Sequence, residues 1–278
     1  MFTTLINSEQ LATIINSANT LIFDCRYNLK AKEAGQKAYQ VSHIPKAIYL
    51  HMDRDLSGAI VPNKTGRHPL PELDVMTQRF SEWGIDSEKQ VIVYDDKKGA
   101  LAARLWWMLN YAGHSKVAVL DGGWQAWLAA GFETETKENT PSKSTFIANF
   151  KTDWILNADQ VEKVGKTKDW AIIDSRAAER YRGETEPIDP IAGHIPAAIN
   201  MPFTENWNEA GLMKTPEVLR QRFAPLPQAD RCVFYCGSGV TACHNILAHT
   251  YAGLGTPRLY PGSWSDWITT AKRIKMSI

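Results

Sequence analysis

Four shortages narrow the field before any motif is read. Cysteine is scarce, with four in 278 residues. That is too few for a disulfide scaffold in a chain this long. The four form no CxxC pair, so the usual ligand spacing of a structural zinc site is missing. Charge of one sign is also missing: the formal net charge is +1. Nucleic-acid binding draws on concentrated positive charge, so no such partner is expected. Long apolar runs are absent, and no stretch reaches the roughly 18 residues a membrane span needs. The opening residues, MFTTLINSEQLATIINSANT, lack the basic start and apolar run of a secretory signal. These shortages lead us to expect a soluble, cytoplasmic protein with reduced thiols, no metal, no cofactor and no membrane partner.

What is present is enough for two cores. A domain takes roughly 100–200 residues, so this length suggests two. Hydrophobic residues make up 44%, and ten tryptophans add large apolar area. The chain also repeats itself. IFDCR at 22–26 returns as IIDSR at 172–176, and SHIPKAI at 42–48 as GHIPAAI at 193–199. VIVYD at 91–95 returns as CVFYC at 232–236, YAG at 111–113 as YAG at 251–253, and GGWQAW at 122–127 as GSWSDW at 262–267. The five pairs keep their order and lie 140 to 151 residues apart. Two copies of one domain follow, over 1–140 and 150–278. The polar stretch at 134–145 reads as a linker.

Within each half, short apolar runs alternate with helical patterns. Residues 21–23, 91–94 and 117–120 read as buried strands and 101–111 as a helix; the second half repeats the scheme. The fold class is therefore α/β, each domain a parallel sheet flanked by helices. Ligands of such sheets bind beyond the carboxyl ends of the strands. That rule points to the residues after 91–94 and 233–235.

The second of those places reads CGSGVTA. Cys236 ends a strand, Gly237 and Gly239 open backbone conformations closed to other residues, and a helix starts near Thr241 or Ala242. Inward-turned N–H groups and a helix N-terminus favour an anion at the sulfur. The thiolate is the nucleophilic form of cysteine, so the placement has a chemical use. A lone cysteine is often just a small buried residue. Cys25, Cys232 and Cys243 are read that way, whereas the glycine-flanked strand end argues otherwise for Cys236.

CGSGVTA, with the paired HIP and GSW motifs, resembles the rhodanese superfamily over almost the whole chain. The likeness is strongest to the tandem enzymes that include 3-mercaptopyruvate and thiosulfate sulfurtransferases. It implies two rhodanese-like domains and a ping-pong reaction. Cys236 would take a sulfur from a small-molecule donor as a persulfide. It would then pass that sulfur to a thiol acceptor, such as thioredoxin or a small thiol, or to cyanide. Asp95 stands where the first half would need its cysteine, which makes that domain non-catalytic; Asp95 is expected to be a solvated loop residue.

The resemblance also implies a donor site. It places Arg180 on the arginine that binds the substrate carboxylate, and Gly237, Gly239, Val240 and Thr241 around the donor. Arg104 matches a further position near the donor; the competing reading is an arginine on an exposed helix face. Arg176 has a counterpart in Arg26, so both are read as fold residues, as are His43, His194 and the repeated tryptophans. Mercaptopyruvate-type enzymes have the uncharged CGSG loop, whereas thiosulfate enzymes carry basic residues there. One departure is Asp189, close to where those enzymes often carry a second arginine.

The first half is longer between HIP and the next strand: Pro45 to Val91 spans 46 steps, Pro196 to Cys232 only 36. The extra length holds Asp53 and His68, which match a relay with Ser238 in mercaptopyruvate-type relatives. Histidine titrates near neutrality, aspartate can orient it, and a hydroxyl can pass the proton on. The competing reading is two surface residues in a loop. Other classes fare worse. A cysteine phosphatase needs an arginine six residues after the cysteine, where this chain has Ala242. A non-enzymatic binding module would have no use for the cysteine retained in the second half.

Overall fold

A computed structural model describes residues 1–274. The chain divides into two compact units. The first comprises Met1–Gly58 and Pro71–Lys151; the second takes Ala59–Leu70 together with the chain from Thr152 onward. A short piece of the longer first half therefore packs with the second unit, which sequence spacing does not foretell.

The first unit carries strands β1 (Leu5–Ile6), β2 (Thr20–Asp24), β3 (Ala47–Tyr49), β4 (Gln90–Tyr94) and β5 (Val117–Leu120). Its helices are α1 (Ser8–Ile14), α2 (Ala34–Val41), α3 (Leu73–Glu82), α4 (Ala102–Tyr111) and α5 (Gly123–Ala129). The strands form one parallel sheet in the order β1-β5-β4-β2-β3. The second unit has β6 (Ala171–Asp174), β7 (Ala198–Asn200), β8 (Cys232–Tyr235) and β9 (Arg258–Leu259), parallel in the order β7-β6-β8-β9. Its helices are α6 (Ala158–Val164), α7 (Ala178–Tyr181), α8 (Pro216–Phe223), α9 (Ala242–Tyr251), α10 (Ser263–Trp267) and α11 (Ala271–Ile274). Among the described residues no helix is long and apolar enough to cross a membrane.

Central strands β4 and β8 are buried along Val91–Tyr94 and Cys232–Tyr235, as strands covered on both faces must be. Helix α4 is buried on nearly every side, which explains its run of Ala, Leu, Trp and Met. The repeat extends to helix starts. Asn7 and Asn157 each cap a helix and exchange bonds with Gln10 and Gln160 in reciprocal capping boxes. Such a cap contributes about 1 kcal/mol.

The repeated DCR and DSR motifs make matching internal ion pairs. Arg26 meets Asp24 at 2.6 Å and lies over the Trp124 ring; Arg176 meets Asp174 at 2.6 Å and lies over Trp264. Each arginine also donates at 2.7 Å to a backbone carbonyl before the HIP motif, on Ser42 and Gly193. Both act as fold residues, and removing one partner of such a buried pair costs about 3–5 kcal/mol. The HIP histidines serve similarly: His43 stacks on Tyr39 and His194 on Tyr181.

The polar stretch at 134–145 is more than a loose tether. Glu135 exchanges backbone bonds with His43, Asn139 donates to the Ala47 carbonyl, and the Ser144 hydroxyl donates to the Ile85 carbonyl.

Candidate active site

Strand β8 delivers Cys236 to the carboxyl edge of the second sheet, where the residue is 2% exposed. The loop is held from behind by the N-terminus of α10. The Cys236 N–H donates to the Ser263 hydroxyl at 3.1 Å, and the Cys236 carbonyl accepts from the Trp264 N–H at 3.0 Å. The Gly237 carbonyl accepts from the Ser265 N–H at 2.9 Å. Gly239 has φ +73°, and a Cβ there would lie 2.3 Å from the Pro261 carbonyl oxygen. Only glycine fits both the angle and the approach. Val240 is buried and Thr241 half-buried at the start of α9.

Two expected partners meet in this unit. His68, from the segment Ala59–Leu70, places Nδ1 2.8 Å from the Ser238 hydroxyl, and both side chains are buried. The segment is fastened by its own backbone: the Arg67 N–H donates to the Ser265 hydroxyl at 3.0 Å. A surface location for His68 is therefore wrong. The third member, Asp53, lies in the first unit, half-buried. There it accepts from the Tyr27 hydroxyl at 2.9 Å and pairs with Lys32 at 2.7 Å.

Beside the loop stands a chain of alternating charges. Arg180 meets Glu186 at 2.7 Å and Asp189 at 3.4 Å, and Asp189 is also tightly paired with Arg67. Glu186 continues to Arg176 at 3.2 Å. Burial raises the Glu186 carboxyl, but the Arg180 hydrogen bond and its helpers win and hold it below the usual range. For Asp189, burial outweighs Arg67 and Arg180, so its carboxyl sits above its usual value.

One competing reading and one expectation need correction. Arg104 is fully buried in α4, with Nη2 donating to the Leu56 carbonyl at 3.4 Å, so it does not lie on an exposed helix face. Asp95 is not solvated either. It is fully buried, and its carboxylate accepts four backbone N–H groups, from Lys97, Gly99, Leu101 and Ala102, at 2.7 to 2.9 Å. Burial raises this carboxyl while those bonds pull it down, and burial prevails.

Sequence reasoning missed Arg67 and Ser263. Arg67 directly precedes His68, but its partner Asp189 is 122 positions away. Ser263 stands in the repeated GSW motif opposite Gly123, and both have positive φ, 56° and 60°. A non-glycine in that conformation was the available signal.

The description "Rhodanese-like domain" matches residues 7–130 and again 157–270. The chain belongs to the rhodanese family. This rhodanese is 42% identical, over 97% of its length and 96% of the relative's, to a probable 3-mercaptopyruvate sulfurtransferase of Pseudomonas aeruginosa. It is 31% identical to the thiosulfate sulfurtransferase of Cricetulus griseus, over 98% of this chain and 94% of that one. Among solved structures, the 3-mercaptopyruvate sulfotransferase SseA from Escherichia coli matches with a TM-score of 0.82 at 30% identity, covering 95% and 99% of the two chains. The repeated α/β domains described above are thus rhodanese domains.

Proposed function

We propose that this rhodanese is a sulfurtransferase that moves a sulfane sulfur from 3-mercaptopyruvate to a thiol or cyanide, with Cys236 as the carrier. The Cys236 thiolate attacks the donor sulfur. The carbon–sulfur bond breaks, its electron pair stays on carbon as the enolate of pyruvate, and a proton converts that enolate to pyruvate. A persulfide remains on Cys236. An acceptor thiolate, on thioredoxin or a small thiol, then attacks the outer sulfur and releases the Cys236 thiolate.

One observation carries this choice of donor: the buried His68–Ser238 pair beside an uncharged loop. A mercaptan brings a proton that must move as its carbon–sulfur bond breaks, and an imidazole joined to a hydroxyl can move it. Asp53 is the proposed orienting member of that relay. Arg180 is the proposed carboxylate partner, because a guanidinium meets a carboxylate with two bonds. Gly237, Gly239, Val240 and Thr241 would face the donor, with Arg104 supporting it. Thiosulfate would donate through the same persulfide in the alternative reading, which the similarity to a thiosulfate sulfurtransferase supports.

The test is a mass measurement followed by kinetics. Incubation with 3-mercaptopyruvate should add one sulfur atom to the peptide containing Cys236. With one acceptor, kcat/KM should be higher for 3-mercaptopyruvate than for thiosulfate. No added sulfur from either donor would overturn the carrier; a preference for thiosulfate would overturn the donor. All four cysteines are free thiols, which suits a reducing cytoplasm, and cell fractionation would check that location.

A further inference from the structure

Three side-chain ends converge on the residue after Cys236. A Cβ built on Gly237 would lie 3.0 Å from Arg67 Nη2, 3.6 Å from Arg180 Nη2 and 3.7 Å from Asp189 Oδ2. Asp189 contacts both guanidinium groups and is itself 3% exposed, so its charge is directed at them rather than at water. Arg67 and Arg180 keep 22% and 15% of their side-chain surface open. The Nε of Arg67 is buried without a hydrogen-bond partner among the described residues. Glu186 bonds Arg180 at 2.7 Å and continues to Arg176 at 3.2 Å.

We infer that Arg67 and Arg180 form a two-armed anion clamp beside Cys236, and that Asp189 sets its charge to accept a monoanionic donor over a dianionic one. Two guanidinium groups alone would present two positive charges to the donor. Asp189, bonded to both, and Glu186, bonded to Arg180, offset those charges, and Asp189 is the carboxylate that comes nearest the loop. A keto acid with a single carboxylate brings the smaller negative charge to that clamp. A dianion such as thiosulfate brings one further negative charge towards Asp189, in a partly buried site where charge interactions are weakly screened. Arg67 reaches the loop from the segment that also carries His68, so one stretch of chain supplies one arm of the clamp and the histidine proposed to move the proton. Asp189 does not need to touch the donor; it acts through the two arginines and is a positioning residue.

This inference rests on Cys236 being the sulfur carrier, and the experiment separates the two. Wild type, Asp189→Asn and Arg67→Gln are compared with both donors and one acceptor, with persulfide on Cys236 followed by mass. Asparagine keeps the size and removes the charge. Asp189→Asn should raise the ratio of kcat/KM for thiosulfate to that for 3-mercaptopyruvate about tenfold. Arg67→Gln should raise KM for both donors, about fivefold or more, with kcat little changed. Arg67 is the more exposed member, so its replacement remains informative if Asp189→Asn folds poorly. A donor ratio unmoved in Asp189→Asn, or KM values unmoved in Arg67→Gln, would overturn the inference while leaving the carrier reading intact. A wild type that takes sulfur from neither donor would overturn both.

Discussion

The loops after β4 and β8 occupy the same place in two copies of one domain and end differently. The first begins with Asp95, the second with Cys236. In the first, backbone N–H groups two, four, six and seven positions after Asp95 close on its carboxylate. Each carboxylate oxygen accepts two of them, so the carboxylate's lone pairs are all engaged by donors that favour the ionised form, against the burial that raises this carboxyl. The first loop therefore shows what this backbone path can hold: one negative charge at the end of a central strand. In the second loop the first residue is a thiol, which can hold that charge as thiolate or persulfide and can also react. The first copy has filled its cradle with a fixed anion of its own; in the second the proposed sulfur carrier stands at the matching position.

The comparison breaks most sharply at Cys236. Cys236→Ser should abolish sulfur transfer, by about a thousandfold or more, because an alcohol is a poor sulfur acceptor. The fold should persist, since serine is close in size. Substituting Cys25, Cys232 or Cys243 should leave persulfide formation in place. Burial raises the Cys25 thiol well above its usual range and pushes Cys232 up to about 12, so neither is a thiolate at neutral pH. Persulfide on any of these three in a Cys236→Ser protein, read by peptide mass, would contradict this.

The complementary change is Asp95→Asn. An amide turns two hydrogens toward backbone donors and leaves them unsatisfied, at about 1–3 kcal/mol each. The first unit should lose about 2–4 kcal/mol, measured by denaturant unfolding. Persulfide formation on Cys236 should continue below the new midpoint. A neutral result would mean that the four short N–H contacts contribute little.

These two residues also show what a sequence can convey. Five repeated motifs, all local strings, reveal the duplication and hence the parallel sheets and the position of Cys236. The His68–Ser238 pair was legible through the length difference between the halves and the family pattern. The environment of Asp95 was not, because a lone aspartate after a strand looks alike whether water or amides surround it. Arg67 was hidden for a different reason. Its partner lies far along the chain, and Asp189 by itself reads as a lost arginine rather than as the shared partner of two others.

A middle-sized effect should come from Arg180, which has no matching arginine in the other loop's surroundings to judge from sequence. Arg180→Ala removes the proposed charged partner of the donor carboxylate, worth about 1.5–3 kcal/mol, or roughly tenfold or more in kcat/KM. The donor KM should carry most of the loss. An unchanged kcat/KM would take Arg180 out of the site.

The smallest effect tests how the second loop is held. Where the first unit uses Gly123, the second has Ser263, in a left-handed conformation that costs a non-glycine residue about 1 kcal/mol. Its hydroxyl accepts the Cys236 N–H and donates to the Tyr260 carbonyl at 3.0 Å. Ser263→Ala keeps the strain and loses both bonds, so stability should fall by about 1 kcal/mol. Ser263→Gly loses the same bonds but relieves the strain, so stability should stay near that of the wild type. Neither variant can anchor the Cys236 amide. If the hydroxyl positions the cysteine, both should slow persulfide formation severalfold and equally, although only one is destabilised. Rates that follow stability instead, with the glycine variant as fast as wild type, would reduce Ser263 to a packing residue and leave the strained turn without a catalytic purpose.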